Sequence, residues 1–275
     1  MTTLLLLAVV AAGTAASLPA PRPATWLEAA TVVQDGHLYE PYARVLETYV
    51  DDEGLVDYQG LKSRGHGDLE TFMKAIAEVD PEQLPDDPAR IAFWINAYNA
   101  TVMWQVVESY PIKSVRSIGG LFGGGFFKHK YRIGGKERHL DNIEHDILRK
   151  RYKDARIHFA LVCGAFGCPR LLQRPYLAED LDTVLTAQTH EFLAQARGLR
   201  INESRNTLYL SKYFNWYGKD FKAQAGSVID YILPYAPALT ADYIRANRKS
   251  LRRKFMDYDW TLNDQANGPR SARAQ

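Results

Sequence analysis

The sequence predicts an α+β protein, an α-rich single domain with a small and mainly antiparallel sheet. Several segments between residues 38 and 263 carry apolar residues at helical spacing, and two shorter segments alternate about turn residues as hairpins do. No internal repeat or long linker separates these segments, and 275 residues are enough to bury a sizeable core. One globular domain is therefore expected over residues 38–263.

The first residues predict an exported protein. Residues 1–17, M-T-T-L-L-L-L-A-V-V-A-A-G-T-A-A-S, combine an apolar run too short to span a bilayer with small residues that suit signal-peptidase cleavage. A signal peptide and a periplasmic or secreted location are expected. No stable membrane span is expected after cleavage. Because this segment lacks a basic residue, an uncleaved anchor is the alternative, and no cysteine is present for a lipoprotein.

Regular elements are expected throughout the domain. Residues 18–37 carry three prolines and predict an extended spacer, and residues 264–275 predict a disordered polar tail. Helices are predicted over 38–50, 68–79, 89–110, 141–152, 178–197, 227–235 and 241–247, a short strand over 55–58, and hairpins over 129–140 and 199–210. The glycine-rich run 119–125 lacks the Lys-Ser/Thr ending of a phosphate loop, so it predicts a connector or a loop beside a site.

The charge balance limits the expected partners. Lys and Arg number 34 against 32 Asp and Glu, which gives no electrostatic basis for nucleic acid as a partner. The expected ligand is peptide-like or belongs to the cell envelope.

The helix over 89–110 is apolar on nearly every side and is expected at the centre of the domain. Asn96 and Asn99 are three residues apart and share one face of it. Buried amides need hydrogen-bond partners, so both side chains are expected either to tie the helix to neighbouring backbone or to serve a site. In the second case Asn96 would orient a catalytic group and Asn99 would contact substrate.

Both cysteines lie in the central segment 156–169, R-I-H-F-A-L-V-C-G-A-F-G-C-P. Its apolar residues predict a buried strand carrying His158, and its glycines predict a turn between Cys163 and Cys168. Pro169 suits the first position of a following helix, whose N-terminus would favour a Cys168 thiolate. The pair is expected to form a disulfide, to act through Cys168 as a nucleophile with a histidine base, or to be two inert buried thiols.

Glu144 has two interpretations. It lies three residues after Asp141 in the pattern of a capping box, which is a sufficient structural reason for both carboxylates. As a functional residue it would orient His158. The sequence D-x-x-E-H is one residue short of a zinc pattern, so a metal hydrolase using His139, Asp141 or His145 is only a distant alternative, and no metal or cofactor is expected.

Aromatic residues are dense between Tyr213 and Phe221. Trp216 and Tyr217 are candidates for ligand contact, although core packing is the commoner use of such residues.

The chain closely resembles the family catalogued as domain of unknown function 547. The matching pieces cover roughly residues 40–263 and are G-L-V-D-Y (54–58), A-F-W-I-N-A-Y-N-A (92–100), L-D-N-I-E-H (140–145), H-F-A-L-V-C-G-A (158–165), C-P (168–169), F-N-W-Y-G-K-D-F (214–221) and Y-D-W-T-L-N (258–263). One departure is Gly167, where the family more often has serine. The resemblance implies no established activity. The Cys, His and amide or acid set implies a distant likeness to papain and transglutaminase folds.

Two functions follow as hypotheses, so whether the protein is an enzyme stays open. The first is a thiol-dependent hydrolase or acyl transferase acting on peptide-like or amide substrates, with Cys168 as nucleophile, His158 as base and Glu144 or Asn96 as orienting group. Cys163 would belong to the same site, and main-chain N–H groups of residues 164–167 would bind the oxyanion. The alternative is a non-catalytic periplasmic binding or assembly module with a structural Cys163–Cys168 disulfide.

Overall fold

The computed structural model describes residues 38–119 and 125–269. The expected signal peptide and spacer, most of the glycine-rich run and the end of the expected tail lie outside these residues. Within them, no helix is both long and apolar enough to cross a membrane.

The architecture is α-rich with two small sheets, which confirms the α+β class. The helices are α1 (Glu40–Tyr49), α2 (His66–Glu78), α3 (Asp87–Ser109), α4 (Gly125–Lys128), α5 (Asn142–Tyr152, of π geometry), α6 (Leu181–Ala194), α7 (Tyr213–Trp216), α8 (Gly218–Ala225), α9 (Val228–Ile232) and α10 (Ala238–Asn247). A further helical turn (Tyr58–Gly60) and a π-helical segment (Leu61–Gly65) lead into α2, and short 3-10 turns connect other elements.

Helix α3 is the centre of the larger core, as its apolar sequence predicts. The side chain of Asp86 accepts a hydrogen bond from the Ala89 N–H at 2.8 Å and caps its first turn. Almost every side chain from Ala92 to Val107 is buried. Helices α1 and α2 pack against each other, and α2, α5 and α6 pack on α3.

The two predicted hairpins are confirmed. Strands β1 (Tyr131–Ile133) and β2 (Lys136–Arg138) pair antiparallel, and the turn between them places Gly134 and Gly135 at φ values of 63° and 72°. Both positions therefore favour glycine. Strands β3 (Leu199–Asn202) and β4 (Thr207–Leu210) form the second hairpin.

The sheet differs from the expectation in one respect. Strand β5 (Arg252–Phe255) adds to the second hairpin, parallel to β4, in the order β3-β4-β5. A parallel neighbour needs a crossover, and helices α7 to α10 supply it.

A second, smaller core surrounds Phe159. This ring is fully buried, with five aromatic neighbours whose centroids lie between 5.2 and 6.5 Å from its own: Phe192, Tyr213, Phe214, Phe221 and Tyr231. Phe159 is the neighbour of His158 in sequence, so the second core fixes the backbone that carries the histidine.

Three local predictions were wrong. The segment that carries His158 is a 3-10 helix, Ala155–Phe159, in which Asp154 accepts a hydrogen bond from the Arg156 N–H at 2.9 Å. No helix begins at Pro169. From there to Ala178 the chain has no regular secondary structure. Residues 55–58 form isolated bridges at Val56 instead of a strand.

Residues near the C-terminal end of the described chain join distant parts of the fold. Leu262 bridges Ala165, and Asp264 bridges Val56. Asp264 is buried and caps a 3-10 turn over Gln265–Asn267. The packed part of the chain therefore extends beyond Asn263.

Candidate functional site

The two cysteines lie together at the centre of the molecule. Both are thiols in the structure, and their sulfur atoms are 2.8 Å apart. The backbone N–H of Cys163 also donates to the Cys168 sulfur at 3.1 Å. Cys168 is fully buried, whereas Cys163 is partly exposed. The thiol that another molecule reaches is therefore Cys163.

The surroundings of Cys163 favour its neutral form. Hydrogen bonding to Cys168 and burial both raise the pKa of the Cys163 thiol well above its usual value. No helix begins directly after Cys168 in the described chain, so the helix dipole that was expected to favour a thiolate there is missing.

Tyr258 covers both sulfur atoms. Its hydroxyl lies 3.3 Å from the Cys163 sulfur and 3.0 Å from the Cys168 sulfur. Burial raises the pKa of Tyr258 well above its usual value, which keeps the hydroxyl protonated. A Cβ atom at Gly167 would lie only 2.6 Å from the Tyr258 ring, so glycine at this position lets the ring approach the cysteine turn.

Main-chain hydrogen bonds hold the cysteine turn in place. The N–H groups of Phe166 and Gly167 donate to the carbonyls of Thr261 and Asp259 at 2.8 and 2.9 Å, and the Cys168 N–H donates to Ala165 at 3.1 Å. Two of the groups expected to bind an oxyanion are therefore engaged within the protein.

His158 is buried, with 1% of its surface exposed. Its Nε2 donates to Asp220 at 2.9 Å, and its ring stacks on Tyr217 with the centroids 3.8 Å apart. Burial lowers the pKa of His158, while the hydrogen bond to Asp220 opposes this shift. The imidazole is therefore neutral near pH 7, and its partner is a carboxylate that was not expected.

Asp220 links His158 to Arg149. The guanidinium of Arg149 donates twice to this carboxylate, at 2.6 and 3.0 Å. Burial alone would raise the pKa of Asp220, but the hydrogen bonds from His158 and Arg149 lower it well below its usual value. Asp220 lies in the aromatic motif 214–221, in which the sequence predicts only Trp216 and Tyr217 as ligand contacts. Sequence gives no pairing signal between residues 158 and 220, which are 62 positions apart.

Glu144 does not bind the imidazole directly. Its side chain is 8% exposed and lies 3.9 Å from the Nδ1 of His145. Burial raises the pKa of Tyr217, and the charge of Glu144 and a hydrogen bond to it raise this pKa further. The same charge acts on Cys163 and on His158. Glu144, on α5, is therefore near enough to both Cys163 and His158 for its charge to act on them.

The two asparagines tie α3 to neighbouring backbone. Asn96 donates to the Tyr176 carbonyl at 2.8 Å and accepts from its N–H at 2.9 Å. Asn99 donates to the Ala160 carbonyl at 3.0 Å and accepts from the Val162 N–H at 2.9 Å. Asn99 therefore takes the place of a neighbouring strand along the segment that leads to Cys163.

The aromatic motif contributes both to the core and to the surface. Trp216 is 43% exposed, and its ring centroid lies 4.9 Å from that of Tyr258 and 6.1 Å from that of Trp260. Tyr217 is partly buried between His158 and Arg149, whose guanidinium carbon lies 5.0 Å from the ring centroid. Trp216 is the more accessible of the two.

Both histidines considered for a metal have other partners. His139 accepts a hydrogen bond from the Asn142 N–H at 3.0 Å and so caps α5, a role that had been expected of Asp141. His145 contacts Arg149 at 2.9 Å. In residues 38–119 and 125–269 no three His, Cys, Asp or Glu side chains are grouped as metal ligands would be.

A cavity of about 540 Å³ opens beside the cysteine turn. It lies between the loop after α1, the end of α6 and the segment after β5. Charged groups of both signs line it: Arg170, Arg197, Arg200 and Lys212, and Asp52, Glu53, Glu191, Asp257 and Asp259. Phe166, Gly167 and Tyr258 form the wall that faces the cysteines.

Comparison with known families identifies the central part of this structure. Residues 81–193 match the family described as "Protein of unknown function, DUF547". This part of the chain is similar to the DUF547 family. The expected resemblance is thereby confirmed over α3, α5, the cysteine turn and α6. The matched residues include both cysteines and His158, while Asp220 and Tyr258 lie outside them. No curated protein and no solved structure matches the chain.

Proposed function

We propose that this protein is a non-catalytic binding module that holds a short peptide-like ligand in the cavity beside the cysteine turn. The observation that carries the proposal is the cavity itself, whose volume of about 540 Å³ is in the range of small-molecule sites. Its mixed charge suits a ligand that carries both a carboxylate and an ammonium group.

Individual side chains support this choice of ligand. Lys212 and Arg200 form no ion pair among the described residues, and both line the cavity. Arg170 donates one guanidinium N–H to the Asp52 carbonyl at 3.0 Å, while its buried Nε has no hydrogen-bond partner in the described chain. These cations suit a peptide carboxylate. Asp257 is exposed on the same cavity and suits a peptide ammonium group.

The partners of the expected catalytic residues also favour binding over catalysis. The side chains of Asn96 and Asn99 are hydrogen-bonded to backbone groups, and the buried His158 is hydrogen-bonded to Asp220. A base must lie within hydrogen-bond reach of the proton that it takes, and the Nε2 of His158 is directed to a carboxylate. Cys168 is fully buried.

The binding proposal is tested with a positional-scanning library of tripeptides that have free termini, using calorimetry on the mature protein. We expect binding that is lost when both termini are blocked by acetylation and amidation. Lys212→Ala is expected to weaken binding about tenfold, because a hydrogen bond to a charged group contributes about 1.5 kcal/mol or more. Lys222→Ala is the matched control, since Lys222 is an exposed lysine outside the cavity. Absence of binding by every tripeptide mixture, or equal affinity in both variants, would contradict the proposal.

A second candidate function uses Cys163 as a nucleophile. The observation that favours it is the partial exposure of Cys163, whose thiol is also within reach of the charge of Glu144. In such a thiol hydrolase or acyl transferase, Glu144 would take the thiol proton while the sulfur attacks an amide carbonyl. The proton would then pass to the departing amine, which leaves a thioester on Cys163.

A count of free thiols separates the two candidates. We expect no free thiol in protein produced in an oxidising compartment and denatured without reductant, because two sulfur atoms 2.8 Å apart form a disulfide readily by exchange with a disulfide donor. The mass should show no intermolecular bridge. Two free thiols, with Cys163 alkylated by iodoacetamide in the native protein and Cys168 only after denaturation, would instead favour the nucleophile.

A further inference from the structure

The described chain carries a concentrated basic surface on the last strand of the second sheet. Residues 245–254 contain six cations and no acidic residue: Arg245, Arg248, Lys249, Arg252, Arg253 and Lys254. The whole chain has a formal net charge of only +2, so this surface is a local concentration of charge. All six side chains are exposed.

Four of the six cations have no acidic partner among the described residues. Arg245 pairs with Asp242 at 2.8 Å, and Arg248 makes two bonds to Asp230 at 2.7 and 2.8 Å. By contrast, Lys249, Arg252, Arg253 and Lys254 form no ion pair within residues 38–119 and 125–269. Arg252 instead donates to the Arg205 carbonyl. The unpaired charges are therefore available to a partner.

The sheet extends this charge across its surface. Residues paired in a sheet point to the same face. Lys254 of β5 is opposite Tyr209 of β4, which in turn is opposite Arg200 of β3, so these three side chains form a row across the sheet. The guanidinium of Arg200 lies 4.9 Å from the centroid of the Tyr209 ring. On this face of the sheet, one cation therefore lies on each side of the Tyr209 ring.

An exposed aromatic residue ends the same strand. Phe255 is 45% exposed and directly follows Lys254. It is one of only three large hydrophobic side chains that are exposed in the described chain. Side chains alternate along a strand, so Phe255 and Arg253 lie on the opposite face of β5 from Lys254 and Arg252, and the open edge of the sheet presents both pairs. An aromatic ring and cations along one edge suit the interface of an anionic bilayer, where the ring enters the headgroup region and the cations bind lipid phosphates.

We propose that β5 and the residues before it form a docking surface for an anionic phospholipid bilayer. The surface, called the basic edge, consists of Lys249, Arg252, Arg253, Lys254 and Phe255. Binding of this kind is peripheral and is reversed by salt, because charges near a membrane surface are screened beyond a Debye length. The basic edge is separate from the peptide cavity, although Arg200 lies at the border of each.

The test measures cosedimentation of the mature protein, which lacks the apolar residues 1–17, with vesicles. Vesicles of phosphatidylcholine alone are compared with vesicles containing about one quarter phosphatidylglycerol at about 0.1 M and about 0.5 M salt. We expect binding to the anionic vesicles at low salt only. The triple variant Lys249→Ala, Arg253→Ala and Lys254→Ala is expected to bind about a hundredfold more weakly, because each lost charge weakens binding about fivefold. Arg252 is kept because it bonds the Arg205 carbonyl.

A matched variant removes the same charge elsewhere. Lys136, Lys150 and Lys222 are exposed lysines on other elements, and their joint replacement by alanine lowers the net charge equally. This control is expected to bind as the original protein does, and circular dichroism confirms that both variants are folded. Equal loss in the two variants, or equal binding to neutral vesicles, would overturn the proposal.

A second measurement separates lipid from nucleic acid. Phe255→Ser is expected to weaken vesicle binding about fivefold, because burial of an aromatic ring contributes about 1 kcal/mol or more. A DNA duplex tested at the same salt concentrations should bind more weakly than the anionic vesicles. Tighter retention of the duplex, unaffected by Phe255→Ser, would assign the basic edge to nucleic acid and reject the bilayer.

Discussion

Replacement of Asp220 by alanine is expected to lower the free energy of unfolding by about 3 kcal/mol, because it breaks a largely buried pair from one side. His158, which is 1% exposed, loses the acceptor of its Nε2 proton, and Arg149 loses both bonds to the carboxylate. Chemical denaturation monitored by circular dichroism measures the change.

The matched control for this variant is Asp230→Ala. Asp230 also binds an arginine, Arg248, through two bonds, but this pair is exposed at the surface. Exposed ion pairs contribute at most about 1 kcal/mol. A loss for Asp220→Ala no larger than that for Asp230→Ala would show that the His158–Asp220–Arg149 group is not a structural unit.

The same group predicts the direction of the pH dependence. The pKa of His158 is lowered in the folded protein, so its contribution to stability is complete above about pH 6.5 and is lost as the pH falls below that value. Asp220 also has a lowered pKa, and its contribution is present above about pH 3.9 and is lost at lower pH. Stability should therefore fall progressively on acidification. In His158→Gln the first part of that fall, just below about pH 6.5, should be missing.

Replacement of Asn99 by leucine is expected to lower the free energy of unfolding by about 3 kcal/mol, because it leaves two buried backbone groups without partners. These groups are the Ala160 carbonyl and the Val162 N–H, in the segment that leads to Cys163. Thermal and denaturant unfolding both report the loss.

Gln105→Leu is the control for this second prediction. Gln105 lies on the same helix and is 2% exposed, yet neither atom of its amide has a hydrogen-bond partner among the described residues. Its replacement by leucine should leave stability unchanged or raise it. If Asn99→Leu were as stable as Gln105→Leu but failed to bind the tripeptides that the original protein binds, Asn99 would be a ligand contact and not a structural tie.

Local sequence patterns predicted the secondary structure, whereas contacts between residues distant in sequence determine the candidate site. The glycine pair at 134–135 and the apolar helix around Asn96 were recognised from sequence because turn geometry and helical periodicity are local properties. The apolar run at residues 158–163 predicts a strand, because β-favouring residues are typical of one. Its backbone instead bonds the Asn99 side chain, a contact across 61 to 63 positions that no local pattern reveals.

The candidate site shows the same limit. The histidine, both cysteines and Glu144 were identified from their residue types, and the structure brings them into one region. The partner of the histidine was missed, because Asp220 follows it by 62 positions and stands in a motif dominated by aromatic rings. Tyr258, whose hydroxyl reaches both sulfur atoms, was part of a recognised motif, but only the folded chain shows that it covers the cysteine turn.

The pairing of the last residues with distant segments also determines when the protein can fold. Strand β5 needs the whole crossover over residues 211–251 before it meets β4, and Leu262 and Asp264 close the bridges to Ala165 and Val56. Contacts between such distant residues form slowly, because the entropy of closing the intervening chain is lost first. During synthesis neither core can be completed until these residues have left the ribosome.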